Sequence, residues 1–133
     1  MQEYARQETR ALLHHLDSRL HQAAPGGDAE VIHDLRVAIR RLRVCLKLFS
    51  HFYPGRSWKK MRRRLSGLME MCGAVRDRDI AIAQLTEASL PIASPLLRNL
   101  ALQRTRAERE LRRELKRWNK AGMHRRWTKR LEL

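Results

Sequence analysis

Apolar residues recur at alternating steps of three and four along four stretches, and clusters of turn-forming residues separate those stretches. That spacing places the apolar side chains of each stretch on one face of an α-helix. The residue types agree. Leucine occurs 20 times, whereas valine, isoleucine and threonine together occur 13 times, and no segment alternates with period two. Leucine favours helices and the β-branched residues favour strands, so the chain reads as all-α. Pro25-Gly26-Gly27-Asp28, Tyr53-Pro54-Gly55 and the segment from Pro91 to Pro95 mark three turns, and Asn119 to Gly122 marks a weaker fourth. Asp28 is a candidate N-cap. The expected helices are about 2–23, 29–52, 56–88 and 95–119, with a short helical segment from about 123 to the end.

The candidate core follows from the stripes. It comprises Ala5, Leu12, Leu16 and Leu20 in the first helix, and Val31, Leu35, Ala38, Leu42, Cys45, Phe49 and Phe52 in the second. The third helix offers Trp58, Met61, Leu65, Leu68, Cys72, Val75 and Ile82, and the fourth offers Leu97, Leu100, Ala107, Leu111 and Trp118. Such stripes suit long helices packed nearly antiparallel, and short connections make sequence neighbours spatial neighbours. The expected architecture is a single domain formed by an up-down four-helix bundle. Gly67 and Gly73 are costly inside a helix and suggest a close helix approach or a bend. No run of 18 apolar residues is present, so no membrane-crossing helix is expected. Cys45 and Cys72 fall on apolar stripes, match no metal spacing, and read as buried reduced thiols of a cytosolic protein.

Charge limits the function. Of 133 residues, 29 are Lys or Arg and 14 are Asp or Glu, giving a formal net charge of +15. Arginine supplies 23 of the cations, and its planar fork suits phosphate oxygens. The excess is segregated: residues 28–64 carry a net +8 and residues 98–133 a net +9, while residues 65–97 carry −2. The sharpest feature is His33, Arg36, Arg40, Arg43 and Lys47, at steps of three, four, three and four. These side chains share one helix face and repel one another. The nearby acids Asp28, Glu30 and Asp34 sit at the helix start, where the macrodipole already favours them. A linear ligand with regularly repeated negative charge fits such a row. On the next helix Arg56, Lys59 and Arg63 share a face, and antiparallel packing brings that start beside the end of the row. In the fourth helix Arg106, Arg109, Arg113, Lys116 and Lys120 form a similar row, but Glu108, Glu110 and Glu114 interleave, so a solvated and partly paired face is expected there.

Asp79 stands on the apolar stripe of the third helix within Arg76-Asp77-Arg78-Asp79. A carboxylate there requires a partner, and the expected one is an inward arginine from the second helix. No Gly-rich phosphate loop, positioned nucleophile, metal-ligand spacing or carboxylate cluster is present in the sequence, and His14-His15 lack a third ligand, so neither catalysis nor a cofactor is expected.

The segment His33-Asp34-Leu35-Arg36-Val37-Ala38-Ile39-Arg40-Arg41-Leu42-Arg43 resembles the opening motif of the CHAD family, the conserved histidine α-helical domain. Cys72-Gly73-Ala74-Val75-Arg76-Asp77-Arg78-Asp79 resembles its second signature, a glycine followed closely by Arg-Asp-x-Asp. The resemblance implies a helical domain that binds inorganic polyphosphate and, in some members, directs proteins to polyphosphate granules. Carried over, His33, Arg36, Arg40 and Arg43 match motif positions that face a basic channel, and Arg41 sits in the paired-basic step. Helical phase adds Lys47, Lys59 and Arg63, while Arg76 and Asp79 take a supporting role. Family members usually carry two similar four-helix halves, and one is found here. Three arrangements stay open: a homodimer that places two helix-two rows opposite each other and rebuilds the channel, which is the favoured expectation, a fragment of a longer domain, or one half that suffices on an open surface. Nucleic-acid backbone is the alternative ligand, although no helix-turn-helix or other reading module appears.

Overall fold

A computed structural model describes residues 2–133, and among them the chain forms only helices and turns. The order is α1 (Gln2–Ala23), α2 (Ala29–Leu48), a 3-10 turn (Ser50–Phe52), α3 (Ser57–Glu87), α4 (Pro95–Lys120) and α5 (Met123–Arg130). α1 packs on α2, α2 on α3, α3 on α4, and α4 returns to α1. The expected bundle is therefore present, with its core drawn from the inner stripe of each long helix.

Local chemistry fixes the helix ends. Asp28 caps α2 by accepting a 3.0 Å bond from the Val31 amide, as its position after the Gly-Gly turn suggests. α2 stops at Leu48 rather than continuing to residue 52. The backbone tightens into the 3-10 turn and Tyr53 becomes extended (φ −91°, ψ 145°), as the residue before Pro54 must. The tightening also carries the Tyr53 ring back over α1. There the Thr9 hydroxyl donates to the Ala5 carbonyl at 2.7 Å, so Tyr53 must donate to Thr9 across their 2.6 Å contact. Burial pushes the Tyr53 hydroxyl's pKa upward and keeps the donor protonated.

The core differs in phase from the expected stripe at a few places. In α1 the buried positions are Ala5, Thr9, Leu13, Leu16, Leu20 and Ala23, with Leu12 half-buried at the edge. In α2, Ile32, Ile39 and Leu46 join Leu35, Ala38, Leu42 and Cys45, while Val31 lies at the margin. Leu115 joins Leu111 and Trp118 from α4. α5 does more than end the chain. It packs on α1 and α4 and inserts Trp127, the largest fully buried side chain, with Met123 and Leu131 beside it. Arg10 of α1 donates to the Leu133 carbonyl at 3.0 Å and ties the end down. Gly67 and Gly73 mark no close approach, because a Cβ at either would meet nothing within 4 Å.

At the opposite end of the bundle, Arg104 of α4 joins three elements. Its Nε donates to Asp79 Oδ1 of α3 at 2.9 Å, its Nη2 donates to the Gly27 carbonyl at 3.1 Å, and its Nη1 donates to Glu108. This corrects the expectation that Asp79 would take an arginine from the second helix. Antiparallel packing sets Asp79 level with the turn between α1 and α2. The first turn of α2 there offers the acidic Glu30, and the facing cation comes from α4. Arg76 is half-buried and forms no ion pair among the described residues.

Candidate functional site

The basic row of α2 is in place and uncompensated. His33, Arg40 and Lys47 are exposed, and Arg36 and Arg43 are half-buried with enclosed Nε atoms that have no protein partner. Among the described residues none of the five lies within 4.0 Å of a carboxylate. Of the nearby acids, Asp28 caps the helix, Asp34 lies 3.8 Å from Arg19 of α1, and Glu30 is exposed in the first turn and pairs with none of the row. Four like charges at helical spacing, Arg36, Arg40, Arg43 and Lys47, destabilise a bare helix. α2 tolerates them because its opposite face is buried in the core.

Antiparallel packing then supplies a second wall. The Arg62 side chain reaches from α3 to the Arg43 carbonyl of α2, with Nε donating at 3.2 Å, and this sets the level of the two helices. Between them runs a groove of about 310 Å3 lined by Arg43, Lys47, Trp58, Lys59, Arg62, Arg63 and Ser66. Five of its seven lining residues are cations and none is an acid. Ser66 donates back to the Arg62 carbonyl at 2.9 Å, and the Lys59 ammonium stands 5.6 Å from the centre of the Trp58 ring. The lining offers guanidinium and ammonium donors without a carboxylate or imidazole to act as a general base.

Four of the residues expected from sequence, Arg43, Lys47, Lys59 and Arg63, thus converge on one groove. Arg62, Trp58 and Ser66 were missed as lining. Arg62 lies within the visible basic run, but phase alone does not reveal that its guanidinium turns toward α2. Trp58 was assigned to the core; it is half-buried and serves both the core edge and the groove. His33 and Arg36 belong to the same row but lie toward its other end, Arg43 being ten residues from His33, about 15 Å along the axis. Arg36 stands near Cys72 at the α2–α3 seam, where its charge partly offsets the burial that pushes the thiol up to about 12. Arg40 and Arg41 line a different groove of about 440 Å3 between α1 and α2, with Tyr4, Glu8, Leu12, Val44, Cys45, Leu48 and Phe49. Arg41 is therefore off the row, as its helical phase dictates. Asp79 lies at the far end of α3 and supports the bundle rather than any arginine of the row.

The α4 row is solvated, as expected, but its own cations are not the ones paired. Two of its three acids form ion pairs, Glu108 with Arg104 and Glu114 with Arg117, and Glu110 forms none among the described residues. Arg106, Arg109, Arg113, Lys116 and Lys120 are left exposed and without ion pairs among the described residues. They form a single convex face, whereas the α2–α3 cations face one another across a groove. Arg64, the last cation of the α3 run, turns to the α4 side and stands 5.6 Å from the centre of the Trp118 ring.

Comparison with known proteins gives one positive finding. A family model described as CHAD domain matches residues 3–133, nearly the whole chain. No curated protein and no solved structure matches. The two sequence signatures, the all-helical bundle and the extent of that match agree: the chain belongs to the CHAD-domain family.

Proposed function

We propose that this chain binds inorganic polyphosphate without catalysing its turnover. The contacts are made through the α2–α3 groove and the basic row that extends from it along α2. The observation that carries the reading is the convergence of Arg43, Lys47, Lys59, Arg62 and Arg63 on one groove that no acid lines. A flexible chain of phosphates, charged at every unit, can lie along such a track and accept charge-assisted bonds from successive guanidinium and ammonium groups. Release of counterions drives the association, so affinity falls steeply with salt. Longer chains offer more registers, so affinity rises with length. In a cell the same interaction would carry the protein to polyphosphate granules.

Duplex nucleic acid presents phosphates too, but at the fixed spacing of a stiff double helix, and the face of the one indole in the groove is approached by Lys59 rather than left open for stacking. Competition separates the ligands. With long-chain polyphosphate bound, duplex DNA or RNA added at equal phosphate concentration is expected to leave the complex intact. Displacement under those conditions would assign the groove to nucleic acid. Release of orthophosphate from polyphosphate with magnesium present would contradict the non-catalytic part of the proposal.

A further inference from the structure

α3 and α4 outrun the other two helices. The Asp79–Arg104–Gly27 junction marks the level at which α1 turns into α2. Past that level α3 continues from Ile80 to Glu87 and α4 begins at Pro95, so a helical hairpin stands beyond the bundle by about 12 Å. Its one buried apolar residue, Leu97, is not part of the main core. The arm is also chemically unlike the rest of the chain. Residues 80–102 hold one acid, Glu87, and one base, Arg98, whereas the other 110 residues hold 28 cations and 13 anions. The arm leaves large apolar side chains in solvent: Ile92 is 89% exposed, Leu102 59% and Leu96 50%. A groove of about 400 Å3 runs along it, lined by Ile82, Thr86, Ile92, Leu97, Arg98 and Ala101. Exposed apolar side chains and an apolar groove together on one projecting element mark an interaction site.

We infer that the arm is a self-association surface, and that two copies of this chain pair arm to arm about a two-fold axis. Charge and shape both favour a second copy. Two molecules of net charge +15 repel over most of their surfaces, and the arm is where they can meet at zero net charge. A two-fold contact presents the same patch from both sides and so requires a self-complementary patch. The arm meets that requirement. Glu87 and Arg98 are both exposed and without ion pairs among the described residues, so each can face its opposite on the partner. Each arm also carries a projecting Ile92 at the rim of an apolar groove that can receive the partner's. The pairing leaves the α2–α3 groove of each copy open, and it requires no bound anion, so it holds or fails independently of polyphosphate binding.

The test is the mass of the full chain in solution by sedimentation equilibrium, without polyphosphate and at high salt. The expected result is a concentration-dependent dimer that added salt does not dissociate. Ile92→Glu should give a monomer with an unchanged helical circular-dichroism signal, since the side chain is exposed on a turn. Arg98→Glu should weaken association about tenfold by setting like charges together at two symmetric places, and Arg98→Glu combined with Glu87→Arg should restore it. A wild-type chain that stays monomeric, a dimer that survives Ile92→Glu, a failure of the double reversal to restore pairing, or a dimer that forms only with polyphosphate would each overturn the proposal.

Discussion

Arg104 shows how a single side chain can set the level of several helices. It meets Asp79, Glu108 and the Gly27 carbonyl at once, and it is mostly enclosed. Replacement by alanine strands two carboxylates and a carbonyl, so Arg104→Ala should cost about 2–3 kcal/mol in denaturant unfolding. Asp79→Ala leaves Arg104 two of its three partners and should cost about 1 kcal/mol. The reverse order would show that Asp79 has a stronger partner than Arg104. The sequence revealed half of this arrangement. A carboxylate on an apolar stripe demands a cation, but which helix provides it depends on axial register, and register is set by turn lengths and packing far from Asp79. The Arg104–Glu108 pair is local, four residues apart, yet Arg104 stands outside the basic row that drew the reading of α4, so it was missed.

Cys72 provides a second test at this scale. Burial raises its thiol from the ordinary 9.0 to about 12, with Arg36 pulling the other way. The raised value means that the folded state favours the protonated thiol. Its contribution to stability is complete below pH 9 and is lost as pH rises from 9 toward 12. Cys72→Ala should therefore reduce the fall in unfolding free energy across that window. An unchanged slope would place the alkaline sensitivity elsewhere.

At the scale of elements, the four long helices were readable because a period of 3.6 residues is written in the local spacing of leucines. The errors arose where two apolar residues adjoin. At Leu12-Leu13 and Val31-Ile32 the spacing allows either phase, and only the neighbouring helix decides. Thr9 was invisible as a core residue because its burial depends on Tyr53, 44 positions away, supplying a donor. α5 was visible as a segment but not as a structural cap. Its eight residues are rich in cations, yet Trp127 fills the space beside α1 and α4. Trp127→Ala should cost about 3–5 kcal/mol, read as a lowered midpoint of thermal or urea unfolding. A cost below about 1 kcal/mol would mean that α5 is dispensable to the bundle.

The whole molecule divides its tasks by position. A leucine core holds four helices together, two facing helices concentrate cations along a groove, and an arm of zero net charge extends from the far end. The groove was partly legible. The basic row on α2 and the cations opening α3 are runs in the sequence, and antiparallel packing predicts their meeting. Which cations turn into the groove, Arg62 and Arg63, and which turn away, Arg41 and Arg64, depends on the angle at which each helix presents its faces. The arm was not legible, since helix lengths matter only relative to one another and to the level of the α1–α2 turn.

Equilibrium binding of long-chain inorganic polyphosphate to two charge-reversed variants tests the central claim most directly. Lys47→Glu with Arg63→Glu alters two exposed groove cations, and Arg109→Glu with Arg113→Glu makes the same change in net charge on the exposed α4 row. A charge-assisted bond contributes about 1.5–3 kcal/mol, so loss of two should weaken binding by about 100-fold or more at fixed salt. The α4 variant, which alters only the general field, should lose less than about tenfold. Equal losses in the two variants, or undiminished binding in the groove variant, would contradict the assignment of the α2–α3 groove as the polyphosphate site.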